Sequence, residues 1–124
     1  MVSKVIIAGG RYFNDYTLLK SSVDEAIENI KSLLTGGVEI EIVSGGASGA
    51  DALGEKYAGE HGYPVKKFPA DWNTHGKAAG PIRNREMAAY ADILIAFWDG
   101  KSRGTANMIS EAEKKNLVVK VINY

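Results

Sequence analysis

Short apolar runs alternate with longer mixed stretches along this chain, and the alternation predicts strands separated by helices. Lys4-Val5-Ile6-Ile7-Ala8 is apolar almost throughout. That suits a first strand buried on both faces, because a half-solvated strand would alternate instead. From Thr17 to Leu34, the residues Leu19, Val23, Ala26, Ile27, Ile30 and Leu34 recur at helical spacing. Asn14 or Asp15 stands where a cap belongs, and Gly36-Gly37 stands where the helix should stop. Val38 to Val43 reads as the second strand, and the run from Ala52 to His61 as the second helix, stopping near Gly62. Ser48 is the expected N-cap of that helix.

Pro64-Val65-Lys66-Lys67-Phe68 is a weaker third strand, followed by a polar loop from Pro69 to Ala79. Gly80-Pro81 then opens a helix to about Tyr90, with proline in the favoured first position. Asp92 to Phe97 is the fourth strand, Trp98 to Arg103 a loop, Thr105 to Lys115 a helix, and Leu117 to Ile122 the last strand. Five strands alternating with four helices imply one α/β domain over residues 1–124 with a parallel sheet and right-handed crossovers. No linker or repeat divides it. An order of 3-2-1-4-5 would bring the ends of strands one, two and four together, and ligands of such sheets sit beyond those ends.

Composition narrows the classes. The 124 residues carry 15 Lys plus Arg against 15 Asp plus Glu, so no global field favours nucleic acid or an acidic membrane. The chain has no cysteine, which excludes disulfides and thiolate chemistry and suits a cytoplasmic location. Met1-Val2-Ser3-Lys4 runs straight into a strand, so neither a secretory leader nor a membrane anchor is expected. His61 and His75 fall in no metal-ligand spacing. No metal and no resident cofactor is called for.

The candidate chemistry clusters at strand ends. Val43-Ser44-Gly45-Gly46-Ala47-Ser48-Gly49-Ala50-Asp51 joins a strand to a helix. Backbone N–H groups in such a turn lack helical partners, and the helix dipole adds partial positive charge, so an anion is the natural ligand. A ligand-free tight turn is the competing reading. Gly9-Gly10-Arg11 ends the first strand without completing a dinucleotide fingerprint, and Arg11 can grip phosphate bidentately. Asp51 either serves the helix dipole and a capping box with Ser48, or binds ribose or acts in catalysis. Asp71-Trp72 offers an aromatic that either stacks on a base or pins the loop. Arg83-Asn84-Arg85 puts cations in a first helical turn, which costs dipole energy unless an anion is near.

Gly9-Gly10-Arg11, Ser44 to Asp51, Ala70-Asp71-Trp72, Gly76, Ala79-Gly80, Arg83-Asn84, Met87 and Gly104-Thr105 together resemble the YspA-like branch of the SLOG superfamily. The resemblance spans nearly the whole chain. That superfamily joins the Rossmann-like domain of the bacterial DNA-processing protein A to the LOG-type phosphoribohydrolases. The resemblance implies a Rossmann-like fold with a nucleotide-derivative pocket, and Ser44 to Gly49, Arg83-Asn84 and Gly104-Thr105 as ligand contacts. The LOG signature places a catalytic glutamate three residues after its Gly-Thr, where this chain has Met108. A methionine cannot exchange a proton, so the LOG reaction does not carry over. Asp51 and Glu111 are the carboxylates left as catalytic candidates; Glu111 lies one helical turn beyond Met108, and a surface glutamate is the favoured reading of it.

The DNA-processing branch offers a different parallel. Its Ser-Gly-x-Ala-x-Gly-x-Asp resembles Ser44 to Asp51, and its Arg-Asn-Arg resembles Arg83-Asn84-Arg85. Two functions of different class follow. One is a sensor or hydrolase for a nucleotide or an ADP-ribose- or NAD-like ligand. The other is an accessory module binding single-stranded DNA, disfavoured by zero net charge but kept alive by Lys77, Arg83, Arg85, Lys101 and Arg103. Assembly into a homo-oligomer stays open.

Overall fold

The computed structural model describes residues 1–34 and 36–124. Strands β1 (Val2–Gly9), β2 (Glu39–Ser44), β3 (Val65–Lys67), β4 (Ile93–Trp98) and β5 (Val118–Asn123) form one sheet. Every pairing is parallel and the order is β3-β2-β1-β4-β5. This is the expected order, with β1 and β4 central, and their near-continuous apolarity follows from helices lying on both faces.

The pleat divides the core into two layers. Val5, Ile7, Ile40, Ile42, Ile95 and Phe97 pack with Leu19, Val23 and Ile27 of α1 (Tyr16–Leu33) and Tyr57 and Ala58 of α2 (Ala50–His61). Ile6, Ala8, Val43, Leu94 and Ala96 face the other way, onto Met87 and Ala88 of α4 (Ala79–Tyr90) and Met108 and Ala112 of α5 (Arg103–Lys114). Neighbouring strand residues thus feed opposite layers, as a two-residue side-chain period requires. Gly54 lets α2 lie against β1, where an added Cβ would come within 2.9 Å of the Ile7 side chain.

Several local expectations need correction. Asp15, rather than Asn14, caps α1 by accepting the Leu18 N–H at 3.0 Å. Ser48 does not cap α2. Gly49 holds that position at φ 74°, and the Ser48 hydroxyl donates to the Arg11 carbonyl at 3.3 Å. The cause is tertiary: the turn presses on the segment after β1, and a Cβ on Gly49 would lie 2.2 Å from the Gly10 carbonyl oxygen. Residues 69–79 are not all loop, since α3 (Trp72–His75) and a 3-10 turn (Gly76–Ala78) lie within them. Asp71 caps α3 through the Thr74 N–H at 3.1 Å, and a single turn is too short to show periodicity. Because α4 starts at Ala79, Pro81 is its third residue, still within the turn whose N–H groups need no helical acceptor.

Candidate functional site

The segments beyond the carboxyl ends of the strands enclose a cavity of about 700 Å³. Gly9, Gly10, Arg11 and Tyr12 contribute from the end of β1, and Ala47 and Asp51 from the β2–α2 turn. Trp72 comes from α3, Arg83, Asn84 and Met87 from α4, and Asp99, Ser102, Arg103, Gly104, Thr105, Asn107 and Met108 from the β4–α5 region. Tyr124, following β5, closes the wall. A second cavity of about 590 Å³ adjoins it and is lined by Gly45, Gly46, Ser48, Pro69 and Ala70. Arg11, Ala47, Trp72 and Arg83 line both. The larger cavity has the size of ordinary small-molecule sites and lies where such sheets bind ligands.

The glycine turn after β2 is bonded mostly to its own surroundings. The Gly46 N–H donates to the Ser44 hydroxyl at 3.1 Å, and that hydroxyl donates to Glu55 at 2.7 Å. The Ala47 N–H donates to Asp51 Oδ2 at 3.1 Å, and the Ala50 N–H to the Gly10 carbonyl at 3.2 Å. Three donors that the sequence offered to an anion are therefore already accepted within the protein. Gly45 has a different reason to be glycine: a Cβ there would meet Arg83 Nη1 at 2.5 Å.

Arg83 is clamped rather than loose. Its Nη1 donates to the Gly45 carbonyl at 2.6 Å and its Nε to Asn84 Oδ1 at 3.1 Å. Asn84 ties α4 to α5, donating through Nδ2 to the Gly104 carbonyl at 3.3 Å and to Asn107 Oδ1 at 2.9 Å. Among the described residues, no ion pair involves Arg11, Arg83 or Arg103. The β4–α5 turn is stiffened from within. Asp99 Oδ1 accepts the Lys101 and Ser102 N–H groups, both at 2.8 Å, and the Trp98 indole donates to the Ser102 carbonyl at 3.0 Å. No side chain caps the first turn of α5.

Asp51 is buried in the cavity wall, and desolvation pushes its carboxyl up to about 6 despite the opposing pull of the Ala47 N–H and of Arg83. Loss of hydration penalises the charged form more than these partners favour it. The Trp72 indole is half exposed and lies against Gly80, where an added Cβ would be 3.5 Å from it. The Tyr124 ring packs edge-on against Phe13, and its hydroxyl stands over Gly10.

The structure brings Gly9, Gly10, Arg11, Ala47, Asp51, Trp72, Arg83, Asn84, Gly104 and Thr105 to the larger cavity, and Gly45, Gly46 and Ser48 to the smaller. Four of the singled-out residues line neither cavity. Ser44 supports the turn from behind, Gly49 packs on the β1 end, and Asp71 caps α3. Glu111 is not the surface glutamate expected: it is buried on α5 with its carboxylate 3.9 Å from Lys114 Nζ, outside both linings. Sequence reasoning passed over Tyr12, Ser102, Asn107 and Tyr124, and marked Asp99 only as part of the unusual end of strand four. Asp99-Gly100 after a buried strand was a readable turn signal. Nothing in the sequence pointed to Tyr124, which reaches the site only because β5 pairs with β4.

The architecture defines a Rossmann-like domain with a ligand-sized cavity at its strand ends. The X-ray structure of DNA processing protein A from Streptococcus pneumoniae superposes with a TM-score of 0.72 at 20% identity over 99% of this chain. The chain spans about half, 51%, of that protein. The profile of the YspA, cpYpsA-related SLOG family matches residues 3–75, and the chain belongs to that family. Gene 61 protein of Mycobacterium phage D29 is 35% identical over 127 residues, which cover 98% of this chain and 95% of the phage protein. No helix is long and apolar enough to cross a membrane among the described residues.

Proposed function

We propose that this protein binds a nucleotide or a nucleotide-derived ligand of the ADP-ribose or NAD kind in the larger cavity. The observation that carries the reading is the set of three arginines, Arg11, Arg83 and Arg103, lining one concave site with no ion pair to any of them among the described residues. Guanidinium groups without an ion-pair partner in a concave site complement phosphate oxygens, and Arg83 is held in place for that by the Gly45 carbonyl and Asn84. The uncapped first turn of α5 at Gly104-Thr105 adds backbone donors and a favourable dipole end. Met87, Met108 and Trp72 supply an apolar and aromatic wall for a base.

Binding without LOG-type hydrolysis fits best. Met108 is buried in the cavity wall where those enzymes carry their glutamate. General acid–base help contributes about 10²–10⁴-fold, and Asp51, the buried one of the two carboxylates lining the cavity with Asp99, is the candidate that remains. Release of ribose 5-phosphate from adenosine monophosphate by the native protein, abolished by Asp51→Asn, would instead reveal an enzyme.

The deciding experiment is a thermal-shift and calorimetric titration with adenosine monophosphate, ADP-ribose, NAD and a single-stranded oligonucleotide. A nucleotide at a hundred times its dissociation constant should add about 2.7 kcal/mol of stability. Gly104→Trp should abolish that gain with the fold retained, because a Cβ at Gly104 meets nothing within 4 Å and the new ring enters the cavity mouth. Tight oligonucleotide binding with a steep salt slope, and no nucleotide response, would replace this reading with the DNA-binding one.

A further inference from the structure

Two asparagine amides in the wall of the larger cavity are oriented by groups that have no choice of role. Arg83 Nε can only donate, so the Asn84 atom 3.1 Å from it is the oxygen Oδ1. The Gly104 carbonyl can only accept, so the Asn84 atom 3.3 Å from it is the nitrogen Nδ2. The two constraints agree. Asn84 Nδ2 then gives its second hydrogen to Asn107 at 2.9 Å, and the Asn107 atom that accepts it is Oδ1. Asn84 is buried, and both ends of its amide are engaged inside the protein. Asn107 is engaged at one end only. Its Nδ2 makes no hydrogen bond among the described residues and is not sealed from solvent, and the residue lines the larger cavity but not the smaller.

Place and polarity together say what this nitrogen meets. Asn107 lies one helical turn beyond Gly104 and next to Met108 in the apolar wall, so it stands inward of the turn that would face a phosphate. A hydroxyl can donate or accept, and either end of an amide would serve it. A ring nitrogen can only accept, and it is served only by the end that the Arg83–Asn84 pair leaves open. We infer that Asn107 reads the base, donating through Nδ2 to a ring nitrogen of a purine that lies against Met87 and Met108. This rests on the nucleotide reading and adds to it the residue that senses the base edge. Asn84, itself saturated, sets the direction of the Asn107 amide.

Calorimetric titration of the native protein and of Asn107→Asp with adenosine monophosphate and its 1-deaza, 3-deaza and 7-deaza forms tests this. Each deaza form replaces one ring nitrogen by C–H and leaves the phosphate as it was. The native protein should bind one of the three about five- to tenfold more weakly than adenosine monophosphate, as loss of one hydrogen bond requires. Asn107→Asp keeps an oxygen for Asn84 Nδ2 and removes both donors. Its added charge weakens every one of these ligands alike and cancels in the ratio of their affinities. In that variant the ratio should fall to one or below. Three native deaza affinities equal to that of adenosine monophosphate, or a native ratio that persists in Asn107→Asp, would overturn Asn107 as the base reader and leave nucleotide binding intact. If Asn107→Asp fails to fold, side-chain amide NMR of the native protein decides. The Asn107 amide hydrogens should exchange freely with water in the free protein and be protected at saturation with adenosine monophosphate, while those of Asn84 are protected in both. Asn107 amide hydrogens that stay unprotected at saturation would overturn the inference too. A native protein that does not bind adenosine monophosphate would sink it, and if ADP-ribose and NAD also fail to bind, the nucleotide reading falls with it.

Discussion

Two turns of this protein connect a strand to a helix at the rim of the same cavity, and they are built in opposite ways. The β2–α2 turn is closely packed at Gly45 and Gly49, though a Cβ at Gly46 would meet nothing within 4 Å. A Cβ would come 2.5 Å from Arg83 at Gly45 and 2.2 Å from the Gly10 carbonyl at Gly49, and the Gly46 and Ala47 N–H groups have internal acceptors. The β4–α5 turn is open. Cβ atoms at Gly100 and Gly104 would meet nothing within 4 Å, and no side chain caps the helix that follows. A glycine can therefore serve close packing or open approach, and the residue type does not say which. Here the glycine-rich motif chiefly builds the wall that fixes Arg83 and Asp51, while the plainer turn leaves room.

If that contrast is right, the largest stability effect belongs to the closed turn. Gly49→Ala combines a φ of 74° with a clash against backbone, which cannot rotate away. It should cost about 3 kcal/mol or more in urea unfolding, and a loss under 1 kcal/mol would show that the turn is looser than described.

Asp51 comes next. Its carboxyl is pushed up to about 6 from an ordinary 3.8, so the folded state holds the proton more tightly than the unfolded one. Stability from this group is complete below the unfolded value and is lost as pH rises through the folded one. Asp51→Asn keeps an oxygen for the Ala47 N–H. It should raise stability at pH 7 by up to about 3 kcal/mol and flatten the profile between pH 4 and 7. Parallel profiles for the two proteins would refute the assignment.

Arg83→Gln breaks the bond to the Gly45 carbonyl and removes one cation from the shared wall. A stability loss of about 1 kcal/mol and about 10- to 100-fold weaker nucleotide binding are expected, the second from a lost charge-assisted contact. Unchanged affinity in calorimetry would place the phosphate elsewhere. The smallest stability effect is expected at the open turn, where Gly104→Trp should lie within about 0.5 kcal/mol of the native protein. Loss of binding at that variant without loss of stability would separate the two turns cleanly.

The hydrophobic pattern by itself determined the five strands, the four long helices and the parallel sheet. Near-continuous apolarity at Val5 to Ala8 and Leu94 to Phe97 has one comfortable home, a strand covered on both faces. The motifs also singled out residues that share one cavity at the strand ends, Arg11, Asp51, Trp72, Arg83 and Asn84. Tertiary structure decided what each residue does there. Ser48 read as a cap, yet the close approach of the β1 end put Gly49 in that place and turned the Ser48 hydroxyl to the Arg11 carbonyl. Glu111 and Met108 lie on one side of α5, but only Met108 reaches the cavity. Tyr124 carries no motif and still stands over Gly10. Periodicity records which face of an element is buried, because burial acts on each residue separately. Donor satisfaction, close backbone contact and the cavity itself depend on groups far apart in the chain, and only the packed sheet brings them together.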